Sequence, residues 1–177
     1  MSIYETLSKM RMFKDVPESE IRDLINQCEP SSYAMGAIVC HQGEPATNAM
    51  LLLEGKLDVS VRAESHTRSV GSIHPGEIFG EQGLFHSKGV RNATVLASRP
   101  SQCLKLTPKI MKTHANNKAM VALEQHLIAT MARRIRSTNL QIQKAWKEES
   151  KNNQPTNQPK EEQKTSLLGR LKSLFGG

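Results

Sequence analysis

The sequence predicts a mainly-β domain with flanking helices, and three observations carry that expectation. Between about residues 31 and 107, short apolar or alternating runs are separated by Gly, Pro and Asn. On either side of that stretch, apolar residues recur at helical spacing instead. Gly and Pro are then absent from Pro108 until Pro155, which leaves room for one long helix.

Taken in order, residues 3–29 read as helical. Pro17 suits a first helical turn, where its missing amide is not needed. Glu18 and Glu20 then lie at the positive end of the helix dipole, and Ile21, Leu24 and Ile25 recur at helical spacing. The runs AIVCH, NAMLLLEG, KLDVSVR, SVGSI, RNATVLA and CLKLT each read as a strand. In KLDVSV, Leu57, Val59 and Val61 point one way, and Asp58 and Ser60 the other. That is the period of two of a half-buried strand. Strands this short and evenly spaced predict a small antiparallel barrel or sandwich over 31–107.

Residues 116–148 read as one long helix. Its seam runs through Val121, Ile128, Met131, Ile135, Ile142 and Ala145, and Thr138 falls on the same stripe. Such a seam packs against its own domain or against a second copy of the helix. Residues 149–164 contain no hydrophobic residue apart from prolines and read as a disordered linker. In 165–177, Leu167, Leu168, Leu171, Leu174 and Phe175 share one helical face. That segment suits a membrane surface, a partner groove or its own domain.

The 177 residues carry a net charge of +7, which favours anionic partners without choosing among nucleotides, nucleic acid and anionic membrane. Three cysteines, Cys28, Cys40 and Cys103, lack CxxC spacing and read as reduced, buried thiols. The opening residues lack the order of a signal peptide, and no apolar run approaches the ~20 residues that cross a bilayer. A cytoplasmic location is expected, with peripheral attachment at the inner face of the membrane left open. The six His residues show no HExxH spacing, and neither a phosphate-binding GxxxxGK[ST] loop nor a nucleophile motif is present. No metal and no catalytic residue is expected.

The informative stretch is IHPGEIFGEQGLFHSKGVRNATVLA, residues 73–97. Gly76 and Gly80 allow tight turns and close approach of backbone to a ligand. Residues Glu81–Phe85 can form one helical turn whose amides favour a phosphate. Arg91 offers a planar fork of donors matching two phosphate oxygens, and Glu81 is an acceptor fit for a sugar hydroxyl. Read alone, this Glu and Arg fit a surface ion pair better than a ligand site.

Their surroundings change that weight. Gly80-Glu81-Gln82-Gly83-Leu84-Phe85 followed by Arg91-Asn92-Ala93 resembles the phosphate-binding cassette of the cyclic-nucleotide-binding domain family. The Glu-to-Arg gap is similar to that of the bacterial catabolite activator branch. His41-Gln42-Gly43-Glu44, Met50 to Gly55, Phe13 to Leu24 and Ala132 to Ile135 extend the resemblance over about residues 10–146.

The resemblance implies an antiparallel β-barrel of the jelly-roll type, with N-terminal helices over 1–30 and a cassette at 79–95. It implies sensing and dimerisation helices over 108–148. It assigns Glu81 to the ribose 2′-hydroxyl, and Gly80 to close approach of the sugar. Arg91 goes to the cyclic phosphate, helped by Asn92 and the amides near Gly83 and Leu84. Val59, Val70 and Ile73 form an apolar wall beside the base, and Thr138 and its neighbour Asn139 reach adenine from the long helix. Asn92 and Asn139 depart from the branch's pattern, which bears on adenine against guanine.

The function expected is a receptor for cAMP, with cGMP the alternative, needing no cofactor beyond its ligand. A homodimer through 116–148 is expected, as is output through 165–177 to a protein partner or an anionic membrane surface. With only a linker and a short amphipathic segment after the long helix, no DNA-reading helix is expected.

Overall fold

The computed structural model describes residues 2–64, 66–86 and 88–152, with side chains up to Glu148. The expected segment 165–177, and the linker beyond 152, lie outside the described residues. The chain divides into two units, 1–133 and 134–177.

The first unit opens with α1 (Ile3–Ser8), closed at its N-terminus by a reciprocal cap between Ser2 and Glu5. A short 3₁₀ turn over Arg11–Phe13 leads to α2 (Glu18–Gln27), with Glu18 and Glu20 in its first turn. Eight strands follow: β1 (Glu29–Tyr33), β2 (Ile38–Cys40), β3 (Ala49–Glu54), β4 (Leu57–Ala63), β5 (His66–Ile73), β6 (Ile78–Phe79), β7 (Thr94–Ala97) and β8 (Ser101–Leu106). The single turn α3 (Gln82–Phe85) interrupts them after β6. Then come α4 (Pro108–Thr113), capped by the Thr107 hydroxyl, and α5 (Lys118–Asn152).

The strands form two four-stranded antiparallel sheets, ordered β1-β8-β3-β6 and β2-β7-β4-β5. The jelly-roll expectation holds, but the two sheets are separate rather than closed into one barrel. The strand β1 was not expected. Its sequence EPSSY is polar, and it survives because it lies at a sheet edge, where Pro30 withholds no central ladder bond. The helical stretch expected to 29 ends at Gln27 for the same reason. At the far end, α5 continues to Asn152, so 149–152 are helical although they were expected to open the linker.

Burial explains the sequence of β3. Its run AMLLL is buried throughout because both faces are covered. Leu51 and Leu53 face a cluster with Leu7, Phe13, Ile21, Leu24, Leu104, Met120, Leu123 and Leu127. Met50 and Leu52 join a second cluster with Leu57, Ile73, Phe79, Val95 and Cys103. Burying each large side chain contributes about 1.5–3 kcal/mol, so β3 is the strand that ties the helical layer to the sheets. The three cysteines are free and buried, as the reading of their spacing required. Burial pushes the thiols of Cys28 and Cys103 up to about 12.

The start of α5 buries Ala119, Met120, Leu123, Leu127 and Thr130. A different stripe stays exposed at intervals of seven: Val121, Ile128, Ile135 and Ile142. The long helix therefore carries two apolar faces, and the expected seam divides between them: Val121, Ile128, Ile135 and Ile142 are exposed, whereas Met131 packs against the core.

Candidate functional site

Strand β6 aims the chain at the site. Ile78 and Phe79 are buried on opposite sides and pair with Leu51 and Met50. The chain then turns at Gly80, whose φ of +71° is left-handed. A side chain there is excluded twice over. A Cβ would run into Nη1 of Arg91 and lie 3.1 Å from its Cζ. Next, α3 rests on the backbone of Asn48. A Cβ on Gly83 would lie 2.5 Å from both the nitrogen and the oxygen of that residue.

Arg91 is placed by backbone stitching. Its amide donates to the Glu44 carbonyl at 2.8 Å, and its own carbonyl accepts from the Gly43 amide at 2.8 Å. Ala46 adds an amide bond to the Gly89 carbonyl at 2.8 Å. The turn that receives these bonds is held by the Glu44 carboxylate, which accepts from the His41 amide at 3.0 Å. The segment His41 to Glu44 thus serves as the anchor for Arg91.

The guanidinium is buried, with the residue only 8% exposed. Nη1 donates to the Asn48 carbonyl at 2.9 Å and to the Gly80 carbonyl at 3.3 Å. Nη2 donates to Asn48 Oδ1 at 3.0 Å. All three acceptors are neutral, and none of the ion pairs among the described residues includes Arg91. A buried cation held only by neutral oxygens is costly unless an anion joins it. Among the described residues three of its five donors are used, and the other two suit such an anion.

The other expected residues fall in several places. Glu81 is half-buried and caps α3 with its backbone in the right-handed helical region. The amides of Gly83 and Leu84 donate to the carbonyls of Gly80 and Glu81, at 3.0 and 2.9 Å. They are thus engaged within the turn, and Arg91 is the stronger anion partner. Leu84 is buried in the core and anchors α3. Asn92 is exposed beside Arg91.

The expected apolar wall is uneven. Ile73 is in the core, Val59 is half-buried against it, and Val70 is 60% exposed. The register shows why. Val59 pairs with Gly71 and Ser60 with Ser69, so Val70 is the extra residue of a bulge. Thr138 and Asn139 are exposed positions of α5 within the second unit.

Two contributors were missed in the sequence. Asn48 grips the guanidinium from a position 43 residues away, and no spacing rule joins them. Gln42 fastens the anchoring turn to β4: its side chain accepts from the Arg62 amide at 2.7 Å and donates to the Arg62 carbonyl at 3.1 Å. For Asn48 the one available signal was a polar residue directly preceding the apolar run AMLLL of β3.

The cyclic nucleotide-binding domain family matches residues 30–116, a span that runs from within β1 past β8 and includes α3 and Arg91. Residues 30–116 belong to that family. Related curated proteins include a CRP-like cAMP-activated global transcriptional regulator of Mycobacterium tuberculosis. It is 24% identical over 136 residues, covering 76% of this chain and 59% of the regulator. Human cGMP-dependent protein kinase 2 is 29% identical over 93 residues, 51% of this chain and 12% of the kinase. The chain thus spans well under two thirds of either relative. Among solved structures, the Thermus thermophilus catabolite activator protein shares the fold, with a TM-score of 0.64 and 22% identity. The match covers 75% of this chain and 61% of the other. Among the described residues no helix is long and apolar enough to cross a membrane.

Proposed function

We propose that this domain is a receptor for a cyclic mononucleotide, with cAMP preferred over cGMP. The observation that carries the proposal is the buried Arg91 guanidinium, held among the described residues by neutral oxygens, beside two glycines that tolerate no side chain. A cyclic phosphate supplies one negative charge and two acceptor oxygens, which matches the donors that remain. Glu81, at the head of α3, takes the ribose hydroxyl. Val59 and Val70 lie beside the base, and Asn92 adds a donor near the phosphate. Thr138 and Asn139 are assigned to the adenine edge. The groups that hold Arg91 are neutral carbonyl acceptors and close-packed glycines, which suits binding rather than catalysis.

Two chains pair through the exposed stripe of α5 in this proposal. Val121, Ile128, Ile135 and Ile142 recur every seven residues, and β-branched residues at such positions favour a parallel pair of helices. Output passes through residues 165–177 to a partner or an anionic membrane surface, which leaves nucleotide binding to the preceding domain. Removing those residues spares affinity and abolishes recruitment.

Calorimetric titration of the full chain with cAMP and with cGMP tests the receptor function directly. Arg91→Ala is expected to lose about 2–5 kcal/mol of cAMP binding. Wild-type affinity in a folded Arg91→Ala protein rules the proposal out. Tighter binding of cGMP than cAMP reverses the base preference, and appearance of linear AMP in the mixture identifies an enzyme instead.

A further inference from the structure

We infer that Asn48 is the positioning residue for Arg91, and that its neutral oxygens fix the guanidinium without cancelling its charge. The inference rests on the reading of Arg91 as the anion partner. Asn48 stands immediately before β3, between α3 and Arg91. Its backbone carbonyl accepts from Nη1 at 2.9 Å and its side-chain carbonyl from Nη2 at 3.0 Å. One residue therefore takes both terminal nitrogens. Two parallel bonds fix the plane of a guanidinium, where a single bond leaves it free to turn. The amide nitrogen of Asn48 donates to Thr47 Oγ1 at 3.3 Å, which keeps the carbonyl oxygen turned toward Arg91.

The same residue locates the other half of the cassette. The backbone of Asn48 lies so close to Gly83 that no Cβ fits between them. Asn48 thus fixes Arg91 and the turn headed by Glu81 in one frame. The chemical type of the acceptor matters as much as its place. A carboxylate at this position offers oxygens of similar reach but adds a negative charge against the guanidinium. That charge pairs with Arg91 and competes with a phosphate for it. An amide orients the cation and leaves its charge for the ligand.

Two measurements on the full chain test this. The first needs no nucleotide. The Arg91 side-chain N–H resonances are followed by NMR in the wild type and in Asn48→Ala. Restricted guanidinium rotation in the wild type, released in the variant, is the expected result. Unchanged Arg91 signals in Asn48→Ala overturn the inference. If Asn48→Ala does not fold, Asn48→Gln takes its place, because its amide is set one methylene too far out.

The second measurement compares cAMP affinity with thermal midpoint for Asn48→Ala and Asn48→Asp. Asn48→Ala is expected to weaken cAMP about tenfold, the effect of one lost bond to a charged group. Asn48→Asp is expected to weaken it further while keeping or raising the thermal midpoint, since the new carboxylate pairs with Arg91. A purely structural role moves affinity and stability together. Wild-type affinity in Asn48→Asp overturns the requirement for a neutral acceptor. If the wild type binds neither cAMP nor cGMP, the proposed function fails, and the NMR result alone decides whether Asn48 holds Arg91.

Discussion

Replacing Gly80 with alanine puts a methyl group where the Arg91 guanidinium now lies. Two costs follow, and the structure separates them. The first is backbone strain. Gly80 has φ +71°, and a residue with a Cβ in that region costs roughly 1–2 kcal/mol. The second is steric. The new Cβ meets Nη1 of Arg91 and lies 3.4 Å from the Asn48 carbonyl oxygen, so the guanidinium must leave its three acceptors.

Gly36 supplies the control, because its φ is +85° and nothing lies within 4 Å of its Cβ position. Gly36→Ala is therefore expected to cost only the strain and to leave cAMP affinity unchanged. Gly80→Ala is expected to exceed it in lost stability, and to weaken cAMP by at least about 2 kcal/mol, roughly thirtyfold. Chemical denaturation measures the stability of both variants, and calorimetry their affinity. If Gly80→Ala binds cAMP as Gly36→Ala does, Arg91 does not need its present place, and the argument from the cradle fails.

Three further outcomes follow from the same structure. His126 donates from Nε2 to the Gly76 carbonyl at 3.0 Å, and burial, followed by the nearby Arg133 charge, holds its pKa below the ordinary 6.5, against that bond and Glu77. Its neutral form is the folded one, so its contribution is full above the unfolded pKa and is lost as pH falls through the folded value. Thermal midpoints measured downward from pH 7.5 should fall less steeply in His126→Gln, which keeps a donor but does not titrate. Ile135, 61% exposed on α5, should tolerate Glu as a monomer, so Ile135→Glu is expected to halve the sedimenting mass; a wild type that already sediments as a monomer refutes the paired helices. Leu127 is 1% exposed in the core, and Leu127→Ala is expected to lose about 2–5 kcal/mol of stability by denaturation, with a loss under 1 kcal/mol showing that the start of α5 is not anchored there.

What the amino-acid order determined by itself was local or strictly periodic. The alternating run marked β4 and the continuous apolar run the doubly buried β3, because period and apolar content are set residue by residue. Heptad spacing marked the stripe through Ile128, Ile135 and Ile142. Gly80 and Arg91, which the structure brings into contact, could be singled out together because they lie close in the chain.

Tertiary structure decided what depends on distant partners. EPSSY became β1 only because β8 offers it a ladder, and a polar edge strand carries no apolar signal. Val70 is exposed because it is the extra residue of a bulge against β4, a matter of register between two strands rather than of its own character. Whether the seam of α5 faced its own core was settled by Leu123 and Leu127, which fill that core and leave the heptad stripe outside. The grip on Arg91 was the least visible of all. It comes from the backbone and side chain of Asn48, brought within 3.0 Å across 43 residues once backbone bonds tie Arg91 to Gly43 and Glu44. Carbonyl oxygens are present at every position of the chain, so only the fold selects which of them a buried guanidinium meets.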